Sequence, residues 1–164
     1  MAIQSTDIQY RLSGGASNTS AAASLGGAKS SAAVPAAIFD DVSSAEAAAG
    51  DTEYRCVYVH NGHASLPLIG AALFILVNTP STSTTVDVGV GTSAVNGTEQ
   101  SVADESTAPS SVTFSAAANQ AAGIALGDIP AGQSRAVWVR RTISAGAAAY
   151  NDTFSLRVAG DTAA

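Results

Sequence analysis

Residues 51–80, DTEYRCVYVHNGHASLPLIGAALFILVNTP, are the most apolar stretch of the chain and decide how it folds. In the first half Tyr54, Cys56 and Tyr58 fall on one face and Arg55, Val57 and Val59 on the other, the period of two that a β-strand imposes. Leu73 to Val77 is an unbroken apolar run between Gly70 and Asn78-Thr79-Pro80, too short to cross a membrane and long enough for a buried strand. Asn61-Gly62 reads as a turn between the two. The pair is expected to be the central hairpin of a β-sandwich.

Outward from this pair the alternation recurs. Ile8, Tyr10 and Leu12 alternate with polar neighbours in a short strand, as do Val86, Val88 and Val90 with Asp87, Gly89 and Gly91. Gly89 and Gly91 leave room for another backbone on their face. Within Ser134–Ile143, Val137, Val139 and Arg141 share one face while Ala136, Trp138 and Arg140 share the other. Ala36–Val42, Gln100–Ala103, Val112–Phe114 and Asp152–Val158 complete the candidate strands, and the tail GDTAA, residues 160–164, is expected to be loose. The turn Leu126–Gln133 has Pro130 to set φ and Gly132 to take a positive φ. Ser43–Ala49 reads as a short helix with a serine N-cap, Glu46 in its first turn and Gly50 as its stop.

Seven to nine short strands without a long helix predict an all-β, antiparallel β-sandwich, immunoglobulin-like, with a jelly roll as the alternative. The expected core is Tyr54, Val57, Val59, Leu73, Ile75, Val77, Val86, Val88, Phe114, Leu126, Val137, Val139, Phe154, Leu156 and Val158. Residues 13–33, SGGASNTSAAASLGGAKSSAA, have little to bury except Leu25 and do not offset their own ordering entropy of roughly 1 to 2 kcal/mol per residue. They predict an extended N-terminal arm, residues 1–35 with one short strand, attached to a sandwich domain over 36–164. The arm would order against other subunits.

The 164 residues carry a formal charge of −6, only 12% are charged, and the only cations besides histidine are Lys29 and six arginines. Counterion release on nucleic acid needs a concentrated basic patch, so no nucleic-acid partner is expected, and no membrane partner either. Cys56 is the single cysteine and reads as a buried thiol, which leaves no disulfide framework. The start MAIQSTDIQY lacks the basic and apolar regions of a signal peptide, so folding in a cytoplasm is expected.

His60 and His63 flank a turn, and Asp40-Asp41, Asp104-Glu105 and Asp87 are the carboxylates available for a calcium site or an acid/base pair. None stands in a spaced motif, and solvated turn and loop positions explain each of them. No serine sits in a G-x-S-x-G elbow, so neither an enzyme nor a cofactor is expected. Arg140 and Arg141 are neighbours on one strand and must point to opposite faces, beside Trp138. Trp and Arg are enriched at interface hot spots, so these three, with Ile3, Ile8, Tyr10, Leu25 and Lys29 of the arm, are the candidate interface residues. The competing reading packs Trp138 in the core and pairs both arginines with loop carboxylates.

The phrases Phe39-Asp40-Asp41-Val42-Ser43, Ala49-Gly50-Asp51-Thr52-Glu53-Tyr54-Arg55-Cys56, Leu126 to Gly132, Trp138-Val139-Arg140-Arg141 and Tyr150-Asn151-Asp152 resemble small virion structural proteins of tailed bacteriophages, and among them capsid decoration, cement and minor head proteins. The resemblance implies a β-sandwich in many copies on a virion, a major capsid protein and copies of itself as partners, often as a homotrimer, and an arm gripping the shell. Tail, baseplate and fibre-associated modules use similar sandwiches, one of which would bind a cell-surface glycan. Tyr150 and Asp152 are the suggestive residues for that alternative.

Overall fold

The computed structural model describes residues 2–148 and 152–162. Seven strands form two antiparallel sheets, an all-β sandwich. They are β1 (Ile8–Leu12), β2 (Asp51–Asn61), β3 (Leu68–Val77), β4 (Thr84–Val90), β5 (Ile124–Ile129), β6 (Ser134–Ile143) and β7 (Ser155–Thr162). One helix, α1 (Ser44–Ala49), precedes β2. The larger sheet runs β1-β2-β6-β4 and the smaller β5-β3-β7. From β2 onward every connection crosses to the opposite sheet, so sheet neighbours are distant in sequence.

That alternation overturns the expected central hairpin. β2 already has β1 on one edge and β6 on the other, which leaves no edge for β3. Residues 62–67 instead carry the chain over the end of the sandwich. The buried Asn61 side chain donates to Leu66 O at 2.8 Å and Ile129 O at 2.9 Å, and so staples the two sheets together. The order also differs from an immunoglobulin constant domain, where the fifth strand lies beside the second; here the sixth does.

The period-two reading of each strand survives. Val57, Val59, Val137, Val139, Val86 and Val88 face the second sheet, whose Leu68, Leu73, Ile75, Leu126 and Ile129 meet them in one buried cluster. On the opposite face Tyr54, Cys56, Tyr58, Ala136 and Trp138 form a second cluster, with Val102, Val112 and Phe114 packed on it. Phe114 therefore belongs to this outer cluster rather than the sandwich interior. Val77, expected in the core, is 56% exposed because a register shift between Ile75 and Val77 turns the strand end outward.

The expected strands 36–42, 100–103 and 112–114 are irregular; just past the last of them Ser115 makes a bridge to Val88 of β4, with N–H···O distances of 2.9 Å both ways. Gly89 makes that approach possible, since a Cβ there would sit 2.7 Å from the Thr113 carbonyl. Ile38 and Phe39 are buried in the sandwich core without being in a strand, and Phe39 packs on Phe154. α1 begins at the expected cap: Ser43 accepts from the Glu46 N–H while Glu46 accepts from the Ser43 N–H. The last residues of β7, expected to be loose, pair with Leu68 and Ile69, and Thr162 Oγ1 accepts from the Ile3 N–H at 3.1 Å. Ala149, Tyr150 and Asn151 lie outside the described residues.

Residues 13–33 do not project as an arm. They lie on the outer face of the larger sheet, with Ser13, Ser24 and Ser30 buried and the Ser24 carbonyl accepting the Cys56 N–H at 2.7 Å. Tyr58 donates to Gly27 O at 2.7 Å, and residues 30–34 pair along β1 through Leu12 and Tyr10. What anchors the segment is backbone hydrogen bonding into a deep apolar face, a contribution that its own small side chains do not advertise. Gly26, at φ 97°, is pressed so closely on the Gln100 carbonyl that any Cβ would collide with it. Removing residues 1–30 should consequently abolish cooperative thermal unfolding rather than release an intact sandwich. Circular dichroism melting of the truncated chain checks this.

Candidate functional site

The outer face of the larger sheet is apolar, and a single carboxylate organises its cover. Glu99 is buried in the loop after β4. Its Oε1 accepts from the Thr92 N–H at 3.1 Å and the Thr92 hydroxyl at 3.0 Å, its Oε2 from the Ser93 N–H at 2.9 Å. Trp138 Nε1, from β6, donates to Oε1 from 3.4 Å. The Glu99 backbone donates to the Tyr58 hydroxyl at 3.0 Å, and its carbonyl accepts the Gly27 N–H at 3.1 Å. One residue thus joins the two cover segments to β2 and β6.

Burial pushes the Glu99 carboxyl up, but the Ser93 and Thr92 donors outweigh it and hold the group at about 2. Burial pushes the Tyr58 hydroxyl up as well and there prevails, to about 12, so it stays a neutral donor. The buried Cys56 thiol is likewise pushed up by desolvation, which makes it inert.

A second charged cluster closes one end of the sandwich interior. The inward face of β2 begins with Glu53 and Arg55, and Arg141 of β6 stands opposite Glu53. Arg141 Nε donates to Glu53 Oε2, while its Nη1 donates to the Asp40 carbonyl at 2.7 Å. Arg55 Nη2 pairs with Glu105, and the Asp40 carboxylate lies 3.8 Å from Arg55 and 3.6 Å from Arg141. Both guanidiniums stack on Phe39, at 5.4 Å and 4.7 Å from its centroid. Desolvation pushes the Glu53 carboxyl up against the opposing pull of Arg141. The arrangement neutralises buried charge and joins residues 39–40, 53–55, 105 and 141. No nucleophile with its base stands in it, and the two surface clefts are lined by other residues.

The candidate interface residues are therefore scattered. Trp138 is fully buried, and Arg141 belongs to the internal cluster. Arg140 pairs with Asp87 at 2.6 Å and stacks on Phe114 at 4.8 Å. Trp138 packs inside the chain as the alternative reading had it, but the arginines pair with strand carboxylates, Asp87 of β4 and Glu53 of β2, and only the Asp40 carboxylate, 3.6 Å from Arg141, belongs to a loop. Leu25 and Lys29 lie half-buried in the cover segment. Ile3 and Ile8 line one open cleft, of about 320 Å³, with Val158 and Gly160 of β7; Tyr10 lines another, of about 220 Å³, with Val34, Phe154 and Leu156. His63 Nδ1 accepts from Ser65 and Leu66 N–H groups, and His60 Nδ1 contacts Gln133 O at 3.1 Å. Asp104 accepts from the Thr107 hydroxyl, whereas Asp40 and Glu105 join the internal cluster rather than standing as isolated loop charges.

Glu99 drew no attention in the sequence because a lone glutamate in a polar loop carries no pattern. Glu53 did leave a signal, since extending the period of two from Val57 and Val59 through Arg55 puts a carboxylate on the inward face.

The two sheets differ in their edges. β1 is covered by residues 30–34 and β4 by Ser115. Among the described residues, β5 and β7 have no strand partner beyond β3, and Leu76 and Val77 at the end of β3 are 47% and 56% exposed. No family model matches the chain, and neither does any curated protein or solved structure.

Folded Glu99 takes up its proton near 2 rather than at the 4.5 of a free glutamate, so its stabilisation is full above about pH 4.5 and is lost as the pH falls toward 2. Glu99→Gln should cost about 1 to 3 kcal/mol at neutral pH and flatten that acid limb. Urea unfolding at a series of pH values measures both effects.

Proposed function

We propose that the chain is a non-enzymatic structural protein of a bacteriophage particle that binds the capsid exterior and stabilises it, in repeated copies and as a trimer. The observation that carries this reading is the asymmetry between the sheets. The larger sheet is shielded on both faces and both edges, whereas the smaller offers the open edges of β5 and β7 and the exposed Leu76 and Val77. An open strand edge beside apolar side chains suits repeated packing against like subunits or a shell, by strand addition and modest apolar burial. The low charge and small side chains of the chain let backbones approach closely. The shell-gripping role first expected of the N-terminal segment passes to the β5-β3-β7 side, because residues 13–33 are committed to their own body.

The alternative tail or fibre module, binding a glycan, draws less support: Asp152 Oδ1 accepts from the Ser81 N–H at 3.1 Å, and Tyr150 lies outside the described residues.

Purified chain mixed with mature shells of its phage should cosediment with them. Leu76→Asp combined with Val77→Asp should weaken that binding about tenfold or more, the loss of roughly 1.4 kcal/mol or more, while leaving the melting temperature nearly unchanged. Shells that sediment without the protein, together with a positive glycan array, would replace this reading with the tail-module one.

A further inference from the structure

We infer that β7 is a self-pairing edge: two copies of the chain join their β7 strands antiparallel about a two-fold axis at Ala159, and their three-stranded sheets become one sheet of six. The inference rests on the open β7 edge of the reading above, but it concerns contact between free copies and needs no shell. A two-fold contact joins copies in pairs, beside any threefold one.

Of the two open edges, β7 is the one fit for pairing. Sheet edges are ordinarily guarded by bulges, twists or inward charges. β5 is guarded: between the pairs Ala71↔Gly127 and Ala72↔Ala125 the extra residue lies in β5, and Gly127 there has a φ of 76°. The next residue, Asp128, turns its carboxylate to the Gly70 N–H at 2.8 Å. In the β3-β7 pairing both register shifts put the extra residue in β3, so β7 itself runs without a bulge from Ser155 to Thr162. An unbulged edge offers another strand a regular row of N–H and C=O groups.

Charge complementarity makes the occupant a second copy. Arg55, Arg140 and Arg141 pair with carboxylates, and Arg11 and Arg135 donate to backbone carbonyls. Arg157 and Asp161 of β7 are exposed and, among the described residues, form no ion pair or side-chain hydrogen bond. Four apart on one strand, they share a face with Ala159 midway between them. An axis at Ala159 sets Arg157 of each copy opposite Asp161 of the other, so one symmetric contact makes two ion pairs. An axis at residue 158 or 160 leaves both charges unmatched, and an axis at 157 or 161 opposes like charges. The favoured register also sets Val158 opposite Gly160 on the other face and brings only the two Ala159 methyls together at the axis.

The test is cross-linking of the full chain in solution. Directly opposed residues of antiparallel strands stand about 4.5 to 5.5 Å apart at Cα, within disulfide reach. Ala159→Cys should therefore oxidise to a covalent dimer, whereas Ala125→Cys, exposed on β5, should not; the native Cys56 is buried and stays out of the reaction. In the Ala159→Cys chain, Arg157→Asp or Asp161→Arg alone opposes like charges twice and should slow cross-linking about tenfold. The two changes together exchange the signs and should restore it to within about threefold, with melting temperatures close to the parent's throughout. The inference is overturned if Ala159→Cys cross-links no faster than Ala125→Cys, if the single changes have no effect, or if the double change fails to restore the rate. Each of these outcomes is read without shells, so it leaves the cosedimentation result to decide the capsid reading separately.

Discussion

The larger sheet is apolar on both faces, and the rest of the structure answers to that constraint. A sheet with Val57, Val59, Val137 and Val139 on one side and Tyr54, Cys56, Tyr58 and Trp138 on the other must be covered twice. The second sheet covers one side. No third sheet is available for the other, so the chain uses two irregular segments, 13–33 and 91–115, built from residues too small to bury much area themselves. Irregular backbone over an apolar face must satisfy its own N–H and C=O groups. The Tyr58 hydroxyl, the Glu99 carboxylate through Trp138, and the Ser24 carbonyl supply those partners, and each links a cover segment to a sheet strand.

Two buried glutamates illustrate opposite solutions to the same desolvation penalty. Glu99 is stabilised as a carboxylate by hydrogen bonds from neutral donors, which favour the charged form strongly enough to outweigh burial. Glu53 relies on one guanidinium, and burial still prevails. The first solution stiffens a loop; the second leaves an unpaired oxygen at a corner crowded with like charge.

The alternation of strands between sheets has its own consequence. A chain that crosses the sandwich at every connection after β2 forms few local pairings, so both sheets must assemble together, and the loss of one segment is felt throughout. The same interlocking restricts where the protein can meet others. The closed edges of β1 and β4 leave the β5-β3-β7 side as the accessible one.

The strands were readable from alternation alone, because the period of two along β2, β4 and β6 reports which side chains share a face wherever that face lies. The helix at Ser43–Gly50 was readable because its capping box is local. The partner of each strand was not: Asn61-Gly62 marks a turn but is silent on whether the chain returns to the same sheet, and only the occupation of both β2 edges, by strands some forty and eighty residues away, sends β3 across. The fate of residues 13–33 was hidden for the same reason, since their anchorage comes from carbonyl and amide groups that every residue possesses. The candidate site shares this limit. Periodicity puts Glu53 on an inward face, but its meeting with Arg141, 88 residues further on, and with residue 40 depends on the pairing of β2 with β6, and that is a property of the folded chain.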